Sequence, residues 1–195
     1  VHNLNDCDAI VLWGGADISP SLYDEKPFKF SGPPSPSERD TFEWEMINMA
    51  IAANIPIIGV CRGAQMLCAS AGGKLIQDVD GHGNGNHTIV TNEGNEYTVS
   101  SCHHQMMYPY DIPHQLLAWS KFDRASYFNP PETPHAKRMK AHEELEPEVV
   151  YFPEIKGFAI QCHPEWHTYG SEMLFNSWIM QQIKEKCFST EKQEC

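Results

Sequence analysis

The sequence predicts an α/β fold with a mainly parallel sheet, and three observations carry that prediction. Short apolar runs rich in β-branched residues alternate with stretches of helical periodicity along the 195 residues. Three of those runs end abruptly in residues suited to a ligand site beyond the carboxyl ends of strands: Gly14-Gly15, Cys61, and His163-Pro164-Glu165. The composition, 41% hydrophobic and 21% charged, fits one folded domain over residues 1–195. A chain of this length buries roughly 70% of its unfolded surface without needing staples.

Residues 9–13 read as the first strand, stopped by Gly14-Gly15, and a Pro/Ser/Gly-rich loop follows over 17–37. A helix fits 40–54, with Phe42, Met46, Met49 and Ala53 expected on its apolar face. Asn54 closes it, Pro56 leads into a strand over 57–60, and a second helix runs over 62–71 until Gly72-Gly73 stops it. Residues 87–91 and 97–101 read as a hairpin across Asn92-Glu93-Gly94-Asn95. Further strands are expected over 116–120, 149–152 and 158–161, with a polar, Pro-rich surface excursion over 129–147. The last helix is expected over 171–186, where Phe175, Ile179 and Ile183 form one apolar face.

Charge and cysteine usage exclude several classes of function. Fourteen basic against 26 acidic residues leave a net charge of −12, which repels nucleic acid and anionic membrane surfaces alike. No apolar run approaches the ~20 residues of a membrane helix. Seven cysteines, without paired short spacings, read as reduced thiols of a cytoplasmic protein. His82, His87, Cys102, His103 and His104 match no structural zinc spacing, so no metal and no cofactor are expected. The glycine-rich segment 81–86 lacks the Lys-Ser/Thr of a phosphate loop.

The chemistry concentrates at the strand ends. Gly59-Val60-Cys61-Arg62-Gly63 is a G-x-C-x-G between a strand and a helix, the cysteine counterpart of a nucleophile elbow. The helix N-terminus behind Cys61 is expected to favour thiolate, and the Arg62 N–H to face a developing oxyanion. A cysteine nucleophile needs an imidazole to take its proton and a group to orient that imidazole. His163 and Glu165 supply both, with Pro164 stiffening the turn between them. Gly14 and Gly15 would let the backbone approach a substrate closely and offer an oxyanion amide. Arg39 could meet a substrate carboxylate or the acidic Asp40 and Glu43; Trp166 could wall the pocket or simply pack.

The segments Gly59-Val-Cys-Arg-Gly-Ala-Gln-Met-Leu67 and Gln161-Cys-His-Pro-Glu-Trp166 together resemble the class I glutamine amidotransferase family. Trp13-Gly-Gly-Ala-Asp-Ile-Ser-Pro20 with Tyr23, Arg39-Asp40, Gly72-Gly-Lys-Leu-Ile-Gln-Asp78 and His103-His-Gln105 bring it nearer to the γ-glutamyl hydrolase branch, peptidase family C26. That branch includes γ-glutamyl-γ-aminobutyrate hydrolase. The resemblance implies a flavodoxin-like sheet with helices on both faces, plus a small antiparallel hairpin region. It implies a triad of Cys61, His163 and Glu165, oxyanion amides from Gly15 and Arg62, and substrate contacts from Gly14, Gln65, His103, His104 and Gln105.

The implied reaction is hydrolysis of a γ-glutamyl amide, glutamine or a γ-glutamyl amine, through a cysteine thioester. Glutamate and ammonia or an amine are released. Three alternatives stand beside it: an amidotransferase subunit feeding ammonia to a separate synthetase, a non-catalytic binding or regulatory domain of the same fold, and a cysteine protease for ordinary peptides. Two departures from the family pattern are visible. Trp13 stands where proline is common, and too few residues precede Ala9 to form the strand and helix with which the family usually begins.

Overall fold

The computed structural model describes residues 4–28, 32–122, 124–125, 145–166 and 172–189. Strand β1 (Ile10–Leu12) is followed by a 3-10 turn at Pro20–Tyr23 and helix α1 (Glu38–Ala52). Then come β2 (Ile57–Val60), α2 (Arg62–Ser70) and β3 (Lys74–Ile76). Strands β4 (Asn86–Thr91), β5 (Glu96–Ser100), β6 (Met106–Tyr108), β7 (Gln115–Ser120), β8 (Pro147–Phe152) and β9 (Gly157–Ile160) lead to helix α3 (Glu172–Ile183). A π-helical turn, Lys184–Phe188, extends α3. Among the described residues no helix is long and apolar enough to cross a membrane.

The main sheet has the order β1-β2-β9-β8-β7-β4-β5, and β3 pairs with β6 in a separate antiparallel ribbon. Strands β1, β2 and β9 run parallel, with Ile10 opposite Ile57 and Ile57 opposite Gly157. From β9 outward through β8, β7, β4 and β5 the pairing is antiparallel. The antiparallel part therefore reaches well beyond the expected hairpin, while the parallel part carries the strand ends at which the site forms. The β3–β6 ribbon is not legible in the sequence, since each strand is only three residues long.

Both faces of the sheet are covered, which is why the central strands read as unbroken apolar runs rather than alternating ones. On β8, Val150 and Phe152 join the cluster built around Ala64, Met66 and Leu67 of α2 and Ile47 and Ala50 of α1. Val149 and Tyr151, pointing the other way, join Phe175, Trp178, Ile179 and Ile183 of α3. Phe152 and Phe158 are fully buried, each stabilising the fold by about 2–3 kcal/mol through apolar burial.

Helix α1 departs from its expected orientation. Phe42 and Met49 are exposed, and the buried face is made of Asp40, Glu43, Ile47 and Ala50. Two carboxylates point inward because a buried cation, Arg62, waits there: its guanidinium meets Asp40 at 2.5 Å and also pairs with Glu43. The helix starts where Ser37 and Asp40 form a capping box and ends at Asn54 in a left-handed conformation, φ 57°. Most of the excursion expected over 129–147 lies outside the described residues. Its tail is not solvated: Glu146 is buried and Pro147 opens β8. Residue 171 also lies outside them, and the apolar face expected on the last helix is the buried face of α3.

Candidate active site

Strand β2 runs straight into Cys61, the N-cap of α2, whose backbone lies at φ 52° and ψ −107°. A non-glycine residue with positive φ is strained, and such strain collects where a side chain must be held out at a strand-to-helix turn. The turn is pinned by the Cys61 N–H, which donates to the Ile160 carbonyl at 2.7 Å. Flanking glycines are obligatory here. A Cβ on Gly59 would lie 2.4 Å from the Gly63 carbonyl oxygen, and one on Gly63 would lie 2.3 Å from that of Leu12. Chain crowding thus explains the G-x-C-x-G spacing.

Cys61 is 7% exposed, and its thiol pKa is pushed up to about 12. Burial is the main cause, and the neighbouring Cys102 thiol adds to it. The Arg62 N–H hydrogen-bonds to the sulfur and pulls the other way, but more weakly. The sequence expectation of a resting thiolate is therefore corrected: desolvation outweighs the helix N-terminus. The Arg62 amide points at the sulfur in the resting site.

His163 sits in the loop after β9. A Cβ built on Gly14 would lie 2.7 Å from His163 Cε1, 3.4 Å from its Nε2 and 3.5 Å from Cys61 Cβ. Gly14 therefore lies against both the His163 ring and Cys61, and a side chain there would collide with the imidazole. His163 Nδ1 is 2.7 Å from Glu165 Oε1. Glu165 being an acceptor, Nδ1 carries the proton and Nε2 keeps its lone pair. Two further groups hold the ring. Ser100 Oγ accepts from the His163 backbone N–H at 3.0 Å, and the Trp166 indole stacks on the imidazole at 4.0 Å and 9°.

The paired-glycine loop is fastened from α1. Arg39 donates to the Trp13 carbonyl at 2.9 Å and the Gly14 carbonyl at 3.2 Å, and its Nε binds Glu43 at 2.7 Å. Of the two readings open for Arg39, the structure shows the protein-internal one, with Glu43 as partner. Glu43 thus links Arg39, which holds the end of β1, to Arg62, which opens α2. Gly15 lies beside the Arg39 and Arg62 side chains.

The remaining expected substrate contacts divide. Gln65 is buried and donates to the Gln105 carbonyl at 3.0 Å, tying α2 to the segment after β5. Gln105 is itself fully buried, its Oε1 without a hydrogen-bond partner. His104 is half-exposed and holds Asp17 at 2.8 Å, which raises its pKa. His103 is corrected: its ring turns into the interior, packed 4.8 Å from that of His82, rather than standing at an open site. His82, His103 and Glu148 form the one group with metal-ligand geometry among the described residues. Sequence reading missed Ser100 and weighed Cys102 only as a metal ligand, not as a neighbour of Cys61, because a hydroxyl and an exposed thiol near a strand end carry no motif of their own.

A profile of the peptidase C26 family matches residues 1–108. The chain belongs to that family. Its curated relatives include the glutamine amidotransferase-like protein YvdE of Lactococcus lactis subsp. lactis, 53% identical over 72 residues, 37% of this chain and 30% of that protein. Protein NtpR of Enterococcus hirae is 42% identical over 82 residues, 39% of this chain and 31% of that one. The carbamoyl phosphate synthase small chain of Maricaulis maris is 32% identical over 74 residues, 38% of this chain and 19% of that one. The aligned stretch spans about a third or less of each of these relatives.

Among solved structures, a glutamine amidotransferase from Thermotoga maritima superposes with a TM-score of 0.54 at 17% identity, covering 96% of this chain and 69% of that one. A GMP synthase protein from Thermoplasma acidophilum gives 0.54 at 19%, covering 93% and 78%. The fold of this peptidase C26 chain is thus that of the flavodoxin-like class I glutamine amidotransferases.

Proposed function

We propose that this peptidase C26 chain hydrolyses γ-glutamyl amides, glutamine or a γ-glutamyl amine, through a thioester on Cys61. The observation that carries the reading is the strained elbow that sets Cys61 beside Gly14, the same glycine that lies against the His163 ring, whose free nitrogen is set by Glu165. Nε2 of His163 takes the thiol proton as sulfur attacks the amide carbon. The oxyanion is met by the backbone N–H groups of Arg62 and Gly15. The imidazolium, stabilised by Glu165, then protonates the departing nitrogen, and ammonia or an amine leaves. Water, deprotonated by the same Nε2, attacks the thioester and releases glutamate with the thiol restored.

A neutral resting thiol suits this course. Proton transfer accompanies attack, so the nucleophile forms only when substrate has displaced water. Purified protein incubated with glutamine and, separately, with γ-glutamyl-γ-aminobutyrate tests the proposal by glutamate release beside a Cys61→Ala control. Release from either substrate, abolished in the control, is the expected result. No release above the control from either overturns hydrolysis by the isolated chain.

A second reading is favoured by one specific observation, the similarity to carbamoyl phosphate synthase small chains. On that reading the same thioester chemistry supplies ammonia to a synthetase on another chain, and glutamine hydrolysis rises when that partner is added.

A further inference from the structure

Three imidazoles and two carboxylates are buried together where the loop after β3, the start of β4, the segment after β5 and the start of β8 meet. His82 and Glu148 are fully buried, and His103 is 4% exposed. Carboxylates in such surroundings need strong compensation. Glu146 has it: the backbone N–H groups of Arg124 and Ala125 and the His82 ring all donate to it. Glu148 has only half, since Oε1 takes His87 Nε2 at 2.7 Å and Oε2 meets no hydrogen-bond donor.

The tautomers are set by what each ring donates to. His103 Nδ1 lies 2.9 Å from the Gln105 carbonyl oxygen, which can only accept, so Nδ1 bears the proton and Nε2 is a bare lone pair. That Nε2 is buried with no hydrogen-bond partner. His82 Nε2 donates to Glu146 at 2.9 Å, and its Nδ1 lies 3.4 Å from the Ser101 hydroxyl oxygen and 3.8 Å from Glu148 Oε1. Two imidazoles and a carboxylate thus converge, with His103 Nε2 and Glu148 Oε2 both buried and lacking any hydrogen-bond partner. In a dry interior that arrangement is repulsive on its own and attractive around a cation.

We propose that His82, His103 and Glu148 bind a divalent transition-metal ion of the zinc type. Their ligand atoms lie within 4.8 Å of one another. Tetrahedral zinc with nitrogen and oxygen ligands needs donor separations of about 3.4 Å, a closure that small side-chain rotations supply. Two imidazoles and one carboxylate form a recognised zinc donor set, with the fourth position left for water. The outer shell has the expected form as well. Each metal-binding side chain is braced by a group behind it: Gln105 carbonyl for His103, Glu146 for His82, His87 for Glu148. The ion joins the loop after β3 and the loop after β5 to β8, and so steadies the segment from Cys102 to Gln105 beside the nucleophile. Its role is structural, and it stands or falls independently of the hydrolase reading.

The test uses the full chain carrying Cys61→Ala and Cys102→Ala, which removes the thiols near His163 that could themselves take metal. The protein is refolded with chelator, dialysed against zinc(II), freed of excess metal and analysed by inductively coupled plasma mass spectrometry. One retained zinc per chain and a raised melting temperature are expected. Cobalt(II) in its place is expected to give visible d–d bands without sulfur-to-metal charge transfer, and to shift the ring-proton resonances of His82 and His103. Glu148→Gln in the same background is expected to weaken zinc binding by about 100-fold or more. If that variant does not fold, the cobalt resonances of the parent decide. A parent that retains no zinc, a folded Glu148→Gln that retains it undiminished, or unshifted His82 and His103 resonances would overturn the proposal.

Discussion

At Cys61 two effects of opposite sign meet, and their relative size decides the resting state of its thiol. The helix N-terminus and the Arg62 amide favour thiolate, while burial favours thiol. Burial wins, raising the pKa to about 12, so at neutral pH only a very small fraction is thiolate. Below the raised pKa each unit of pH multiplies that fraction by ten. Alkylation of Cys61 by iodoacetamide in the substrate-free protein should therefore rise steadily from pH 7 to pH 10. Peptide mass mapping must read it, since Cys102 is exposed and reacts separately. A rate that levels off below pH 8 would mean that a preformed thiolate exists and that the desolvation account is wrong.

The elements show which features of a sequence speak for themselves. Strands β2, β8 and β9 and helix α2 were legible because apolar runs bounded by glycine or proline have few alternatives in an α/β chain. The elbow at Cys61 and the His163–Glu165 pair were legible because steric crowding at a tight turn and a hydrogen bond across one short loop both leave short local spacings. The inward face of α1 was not. Periodicity selected Phe42 and Met49, yet the buried positions are Asp40 and Glu43, whose partner Arg62 lies on another helix. No local pattern announces a buried ion network. The same reason hid Glu148 behind His82 and His103, since their meeting depends on the packing of distant segments.

The α1 network makes a contrast that can be measured. Asp40→Ala leaves the Arg62 guanidinium, 3% exposed, without one of its two carboxylates and also opens the capping box. Removing one partner of a buried ion pair costs about 3–5 kcal/mol. Phe42→Ser removes an exposed side chain and should change stability by less than about 0.5 kcal/mol. Urea denaturation of both variants checks the inverted helix face. Comparable losses in the two, or a larger loss for Phe42→Ser, would restore the face that periodicity suggested.

For the molecule as a whole, the sheet is the shared wall of two cores that have no residue in common. Leu67 of α2 lies in one cluster and Ile179 of α3 in the other. Strands β8 and β9 contribute alternate residues to both, so neither core can open without exposing the wall of the other. One cooperative unit is the outcome expected from this sharing. Leu67→Ala and Ile179→Ala should each cost about 2–4 kcal/mol, because both side chains are almost wholly buried. Lying in separate clusters on opposite faces of the sheet, they should add to within about 0.5 kcal/mol in the double variant. Each variant should also unfold in one transition, with tryptophan fluorescence and far-ultraviolet circular dichroism coincident. Trp44 packs on the first core and Trp178 belongs to the second, so fluorescence samples both. Two separated transitions in either single variant would mean that the α3 side opens independently, and the sheet would then be a boundary between two units rather than the spine of one.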